Sequence, residues 1–373
     1  MTTEQTSNAQ TSAKPKVDVT EAVVRLRQAL NERLTGQAAR GEAPWQQKLD
    51  PSKGDRLPYN PFSKTGQAMQ GVNSLVLASI AQEKGFKDPR WITKQQMEAR
   101  SWGPIRGQSP ASVEFYADSY QRQVRDARGN PVFNEKGEAV KETVKHETPK
   151  VFAVNMYNLS QIRELEYAKE KIPQLTTAKR DPDVPSLLKL VSESGVMVQA
   201  DGGNHFSKAS DGPGVIHIPE GDVKGPVQQV HAQALLRGLA EKAVLLDGPA
   251  GARRSDTPQV RYIKQQLRVD LATRIMSERL GIPTDPMKTE AFKEKYAAII
   301  RDNPDEIRYA AHDAHLAVER MTKGNFEPAK NKQLEQQQSQ DKEHVQQQRE
   351  PVQQQQREAK ASKAKSKVPA LER

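Results

Sequence analysis

The end of the sequence limits how much of this chain can fold. After Phe326 there is no aromatic residue, and the final stretch is rich first in Gln and then in Lys. A segment of this composition buries too little apolar surface to offset the entropy cost of ordering it. We therefore expect residues 326–373 to be a disordered, basic Gln/Lys-rich tail, and the polar residues 1–16 to be disordered as well.

The composition also excludes several classes of protein. The chain has 373 residues and no Cys, so a disulfide framework, a thiol nucleophile and a cysteine zinc site are all excluded. No run of residues approaches the roughly 18 apolar residues of a membrane span. The first sixteen residues contain no apolar segment of the kind found in signal peptides. We expect a cytoplasmic protein with no membrane partner.

Basic residues are distributed unevenly along the chain. The sequence carries 57 Lys and Arg against 47 Asp and Glu, a net charge of +10. The excess lies in residues 1–168 and in the tail, whereas residues 169–327 are nearly neutral. A local basic excess is typical of proteins that bind a polyanion, although it also favours solubility.

The first half of the chain has the patterns of an α+β domain. A capping box at Asp18 and Glu21 and apolar residues at helical spacing predict a helix that ends near Gly36. Further helices are expected from Val72 to Gly85 and from Thr93. Between residues 112 and 154 the pattern changes to strands joined by turns, as in a hairpin or meander. We interpret residues 17–168 as one α+β domain.

The second half is predicted to be mainly helical. Helices are expected at residues 184–194, 226–246, 259–280, 291–300 and 303–321. Two short strands, VMVQA and VIHIP, lie on either side of a turn at Asp201. We interpret residues 169–325 as a second domain.

Aromatic and basic residues alternate in the first domain in a way that suits single-stranded DNA. Bases of a single strand stack on aromatic faces, and Lys and Arg contact the phosphates. The residues that we expect to stack are Trp45, Tyr59 and Trp91. Those that we expect to contact phosphates are Arg56, Lys64, Arg90 and Lys94. The alternative is that the Trp side chains are core residues.

Four segments of the first half, in order, resemble the single-stranded-DNA-binding domain of ArdC-type antirestriction proteins, which also precedes the primase part of some TraC proteins. The segments are APW from Ala43, YNPFSKTGQAMQGVNSLVLA from Tyr59, KDPRWITKQQ from Lys87 and VFAVNMYNLSQI from Val151. The resemblance implies sequence-nonspecific binding of single-stranded DNA in antirestriction or in the conjugative transfer of a mobile element. It implies host restriction or conjugation proteins as further partners.

The second half resembles the zincin-like metallopeptidase domain of the same family, with a degenerate motif. The family's HExxH helix places two His ligands and a Glu base on zinc. Here the sequence is HAQAL: His231 is kept, Ala232 replaces the base and Leu235 replaces the second His. Asp270 stands where the family has a Glu ligand.

These replacements favour a protein without catalytic zinc and without enzymatic activity, in which His231 and Asp270 are remnants of a metal site. Two alternatives remain open. The chain could be a zinc metallopeptidase with atypical ligands, or a pseudo-enzyme whose second domain binds other proteins.

Overall fold

The first half of the chain combines helices with one long pair of strands. The structure, a computed structural model, describes residues 18–63, 68–126, 128–165, 172, 181–208, 214–221, 229–246, 255–286, 289–324 and 326. The elements of the first half are β1 (Asp18–Val19), α1 (Glu21–Arg40), α2 (Gly71–Lys84), β2 (Trp91–Thr93), α3 (Lys94–Glu98), β3 (Ala111–Gln123) and β4 (Lys141–Asn158). Short 3-10 turns lie at Pro44–Gln46, Pro51–Lys53 and Leu159–Gln161.

Strand β4 organises a four-stranded sheet. It pairs antiparallel with β3, from Ala111 opposite Met156 to Gln123 opposite Lys141. On its other side β4 pairs with the short strands β1, in parallel, and β2, antiparallel. Because β1 and β2 cover little of β4, much of the β3–β4 pair is a two-stranded ribbon. None of the described residues from 115 to 150 is buried, so this ribbon is exposed on both faces.

The second half contains a small sheet and five helices among its described residues. The elements are α4 (Val184–Ser194), β5 (Met197–Ala200), β6 (His205–Ser207), β7 (Val215–Ile218), α5 (Gln229–Leu245), α6 (Pro258–Leu280), α7 (Thr289–Asp302) and α8 (Glu306–Lys323). Strand β7 lies in the middle, parallel to β5 and antiparallel to β6. Its buried residues Ile216 and Ile218 face the core, and Gly238 of α5 packs closely against Ile216.

The two halves share one hydrophobic core. Helix α1 packs on α7, and α2 packs on α8. The rings of Trp45 and Tyr296 meet edge to face with centroids 6.3 Å apart. Leu49 and Thr284 exchange backbone hydrogen bonds. All described residues up to Phe326 fall in one compact unit. The boundary expected at residue 168 lies outside the described residues, and independent folding of residues 17–168 stays a prediction.

The mixed α and β class predicted from the sequence is confirmed, with local differences. The capping box expected at Asp18 and Glu21 is not formed, because Asp18 lies in β1 and Thr20 is the N-cap of α1. Helix α1 continues past Gly36 and ends at Gly41, which has a left-handed φ of 74°. A Cβ at Gly41 would lie 2.3 Å from Cε of Lys293 in α7, so this helix end is fitted to the second half. Strand β6 was not expected, because three residues are too few to show a period.

Two further predictions concern the chain ends and membranes. The disorder expected for residues 1–16 and for the tail after Phe326 lies outside the described residues. Among the helices of the described ranges, none is both long and apolar enough to cross a bilayer.

Candidate functional site

The structure buries the three aromatic residues that the sequence predicts as stacking platforms. Trp45 is 3% exposed, Tyr59 is 4% exposed and Trp91 is fully buried. Trp91 packs against Phe86 with ring centroids 6.0 Å apart, and burial raises the pKa of the Tyr59 hydroxyl. A base needs a free ring face. In this structure these three side chains therefore support the fold and cannot themselves stack on DNA, which corrects the prediction for them.

Two of the predicted phosphate contacts are held in ion pairs. Nε of Arg56 lies 2.7 Å from Oε1 of Glu278, and both side chains are about 90% buried: 10% and 8% exposed. Arg90 donates to the carboxylate of Asp88 at 2.7 Å, and this hydrogen bond raises the pKa of Arg90. Lys94 is exposed, with its Nζ 3.6 Å from Glu98. Lys64 lies outside the described residues.

Two of the predicted residues, Arg56 and Trp91, nevertheless line one cleft, and Tyr59 and Arg90 are their neighbours in the chain or in the sheet. The N–H of Trp91 donates to the carbonyl of Tyr59 at 2.9 Å, which places Arg90 beside Tyr59. The cleft has a volume of about 300 Å³, and its walls include Arg56, Trp91 and Arg274. Arg274 comes from α6, so the cleft is built by both halves of the chain. Sequence reasoning on the first half alone could not find this Arg.

The exposed aromatic residues of the first half lie on β3 and β4. Phe115 is 52% exposed and Phe152 is 37% exposed; their rings are register partners, with centroids 5.2 Å apart. Lys150 is two residues from Phe152 on the same strand and therefore lies on the same face of the sheet. We call Phe115, Phe152 and Lys150 the aromatic platform. The sequence contained a signal for this exposed surface. The strands continue as ADSYQRQ and KETVKHETPK, in which apolar residues do not alternate to form an apolar face.

Other aromatic side chains extend this exposed surface along the ribbon. Tyr120 is 43% exposed and stacks on His146, with ring centroids 4.9 Å apart. Tyr116 and Phe133 are more exposed still, at 58% and 57%. The ribbon therefore offers several ring faces to a flexible ligand.

Asp270, which the sequence predicts to be the remnant of a metal ligand, is engaged by other side chains. Oδ1 of Asp270 accepts from Nη1 of Arg237 at 2.6 Å, and Oδ2 accepts from the hydroxyl of Tyr296 at 2.5 Å. Burial works against the charge on Arg237, but Asp270 raises its pKa overall. Burial raises the pKa of Tyr296 as well. A guanidinium thus already neutralises the carboxylate that would be the third metal ligand.

The donors around His231 do not fit an HExxH zinc centre. His231 is buried, and its Nε2 has no hydrogen-bond partner among the described residues. It faces Gly221, where a Cβ would lie 3.0 Å from Nε2. Ala232 and Leu235 are core residues. Within the described ranges, no three His, Asp or Glu side chains are grouped so that they could hold a metal ion. We derive no chemistry through a metal here.

A hydrogen-bonded chain of Ser207, His217 and Asp201 lies on the face of the small sheet opposite to Ile216. Nε2 of His217 is 2.8 Å from the Ser207 hydroxyl, and Nδ1 is 2.6 Å from Oδ2 of Asp201. The hydrogen bond to His217 lowers the pKa of Asp201. Acyl transfer also needs N–H donors for an oxyanion, and residues 209–213 beside Ser207 lie outside the described residues. We assign no reaction to Ser207, His217 and Asp201.

Comparisons with known proteins relate the first half to a DNA-associated family. The model of the family described as the N-terminal domain of anti-restriction factor ArdC matches residues 24–155. Two DNA primases TraC of Escherichia coli are 29% identical over 329 residues and 30% identical over 291 residues, which is 83% and 76% of this chain. This chain spans only 29% and 19% of the length of those primases.

Two solved structures show the same fold. The Mn(II)-bound antirestriction ArdC protein from the R388 plasmid has a TM-score of 0.56 and 17% identity, covering 80% of this chain and 98% of that one. Its metal-free structure has a TM-score of 0.55 and 19% identity, covering 80% and 97%. These values confirm the architecture for most of the chain.

Proposed function

Because this chain belongs, through residues 24–155, to the family of the N-terminal domain of anti-restriction factor ArdC, we propose that it binds single-stranded DNA without sequence preference. Its role would lie in antirestriction or in the conjugative transfer of a mobile element, as the names of its relatives suggest. Host restriction or conjugation proteins are the further partners that such a role implies.

The aromatic platform carries this proposal. Two adjacent exposed rings on a sheet, Phe115 and Phe152, are an arrangement on which unpaired bases stack. Duplex DNA hides its base faces, so such a surface discriminates against it. An exposed aromatic pair on a sheet is also costly to keep in water unless it has an occupant.

Cations of the platform and of the rest of β4 supply the phosphate contacts. Lys141, Lys145 and Lys150 are exposed along β4 and have no ion-pair partner among the residues that the structure describes. These charges contact phosphates without reading sequence, and they make binding fall as salt rises. Lys94 remains a further candidate, since Glu98 engages it only at the surface.

The test is a binding titration of the full chain with a labelled oligothymidylate of about 20 nucleotides, longer than most single-strand sites. We expect tighter binding to this strand than to a duplex of equal length. Substituting Phe115→Ala and Phe152→Ala together should weaken single-strand binding by about tenfold or more at every salt concentration, because each stacked base contributes about 1–3 kcal/mol. Lys150→Ala should instead reduce the slope of log affinity against log salt concentration by about the value of one phosphate contact.

A matched control variant distinguishes the loss of base stacking from any general effect of removing an exposed aromatic ring. Tyr262 on α6 is 46% exposed, similar to Phe115, but belongs to the other half of the chain. Tyr262→Ala should leave DNA affinity unchanged. Equal affinity for duplex and single strand, or full binding by the double Phe variant, would remove the platform from the proposal.

A further inference from the structure

The cleft between the two halves contains a guanidinium, that of Arg274, with no carboxylate at ion-pair distance among the described residues. Nη1 of Arg274 donates to the backbone carbonyl of Gln47 at 2.7 Å, and its Nε has no hydrogen-bond partner among the described residues. Burial lowers the pKa of Arg274 to about 10, and the charge of Asp55 offsets this only in part. A partly buried cation whose direct hydrogen-bond partner is a neutral carbonyl, with a carboxylate acting on it only from a distance, is costly. An anion from outside would remove that cost.

The two carboxylates that line this cleft each have a partner within the protein. Oδ2 of Asp55 accepts the N–H of Asp50 at 2.9 Å. Asp88 is held by Arg90 at 2.7 Å. The carboxylates on the cleft walls are therefore engaged in the protein's own hydrogen bonds.

Two further cations reach the cleft from its rim. Lys48 and Lys87 line it, both are exposed, and neither has an ion-pair partner among the described residues. Lys48 follows the 3-10 turn at Pro44–Gln46, and Lys87 follows the end of α2 at Gly85, so both come from the first half of the chain. Arg274 comes from the second half. Three cations from three elements thus converge on one space of about 300 Å³.

We propose that this cleft binds a phosphate group, with Arg274 as the inner contact and Lys48 and Lys87 at the rim. The guanidinium suits phosphate, because its planar N–H groups match the phosphate oxygens. A cleft of this size accommodates one nucleotide. The part of this inference that assigns the phosphate to a bound DNA strand rests on the proposed function. The cleft is distinct from the aromatic platform, because none of its lining residues lies on β3 or β4.

The first experiment needs no DNA strand. Calorimetric titration of the full chain with thymidine 5′-monophosphate, and in parallel with thymidine, measures what the phosphate adds. We expect the nucleotide to bind and thymidine not to bind. Arg274→Met should weaken nucleotide binding by about tenfold or more, as is typical for loss of a charged hydrogen bond. The melting temperature should be nearly unchanged, because the substitution also removes an uncompensated buried charge.

Arg320 is the matched control. Its Nη1 also donates to a backbone carbonyl, that of Ala243 at 3.1 Å, and burial also lowers its pKa. It does not line the cleft. Arg320→Met should therefore leave nucleotide binding at the wild-type level. If Arg274→Met binds the nucleotide as well as the wild type, or if thymidine binds equally well, the phosphate site is refuted.

A second pair of titrations tells which phosphate occupies the cleft. Oligothymidylates with and without a 5′-phosphate are compared in wild type and in Arg274→Met. A preference for the phosphorylated end that disappears in the variant identifies a strand terminus as the ligand. A loss of affinity equal for both strands identifies a backbone phosphate. If the nucleotide binds but neither strand depends on Arg274, the cleft takes free nucleotides, and the proposed DNA function is then judged on the platform variants alone.

Discussion

Burial decides what an aromatic or charged residue does in this protein, and residue type alone does not reveal burial. Trp91 and Phe115 lie in strands of the same sheet, yet Trp91 is fully buried and Phe115 is 52% exposed. Arg56 and Lys94 are both cations of the first half, yet Arg56 is held in a largely buried ion pair whereas Lys94 is exposed. The sequence predicts DNA binding in the first half, but it could not identify the rings that face solvent.

The partly buried pair of Arg237 and Asp270 should behave as a structural unit. Arg237→Met leaves the Asp270 carboxylate buried without its cation, and we expect a loss of about 3–5 kcal/mol in the free energy of unfolding. The double variant with Asp270→Leu should recover much of this loss, because both charges are then absent. Urea denaturation measures both values. A single variant as stable as the wild type would show that the pair contributes little.

Metal removal should leave this protein unchanged. Arg237 already balances Asp270, and Leu235 fills the place of a ligand. We expect the same melting temperature before and after treatment with a chelator, and no stoichiometric zinc by elemental analysis. One equivalent of zinc that is lost in His231→Ala would contradict this, since a single His cannot hold zinc tightly without other ligands.

At the scale of elements, local capping signals made most helix ends predictable. Gly85 and Gly195 end their helices in the left-handed conformation, as expected from the sequence. Thr93 caps α3 through a box with Gln96. The exception is α1, where Gly36 lies inside the helix because the apolar face continues to Ala38 and packs in the core. A cap is formed by residues that are close in the sequence, so it can be predicted. The length of α1 depends instead on its packing against α7, which is distant in the sequence.

The cap of α4 gives a pH-dependent prediction. Oδ1 of Asp183 accepts from the N–H of Ser186 at 3.0 Å, and hydrogen bonds from Ser186 lower the pKa of Asp183. Since the folded-state pKa lies below the unfolded one, the cap contributes stability above the unfolded pKa and loses it as pH falls through the folded pKa. Asp183→Ala should cost about 1 kcal/mol at neutral pH.

The same variant should show a smaller deficit in acid, where the wild-type carboxyl is also protonated. Asp183→Asn is the control, because an amide oxygen still caps the helix but does not titrate. Urea denaturation over a series of pH values would test both variants. A deficit of Asp183→Ala that stays constant down to about pH 3, below the usual Asp pKa, would exclude the carboxylate as its cause.

At the scale of the molecule, the two halves depend on each other. The contacts that join them, such as Trp45 with Tyr296 and Leu49 with Thr284, link residues more than two hundred positions apart. Local patterns in the sequence carry no information about such pairs, which is why a division into two domains could be predicted and their shared core could not. The cleft that contains Arg274 could not be predicted from the sequence for the same reason.

This shared core predicts a single unfolding transition. All three Trp residues, Trp45, Trp91 and Trp102, lie in the first half, so Trp fluorescence reports on that half alone. Far-ultraviolet circular dichroism reports on the helices, most of which belong to the second half among the described residues. We expect the two probes to give coincident urea transitions. Separate midpoints would show that the halves unfold independently.

The ribbon has an evolutionary consequence. Its described residues between 115 and 150 make no contribution to the buried core, so insertions and substitutions there leave core packing intact. Selection can then change the length and charge of this proposed DNA-binding surface without passing through unfolded intermediates. The core must instead change in compensating pairs, because a change on one side of the shared interface disturbs the other. The ribbon is thus the part of this protein whose sequence could change fastest while the fold is kept.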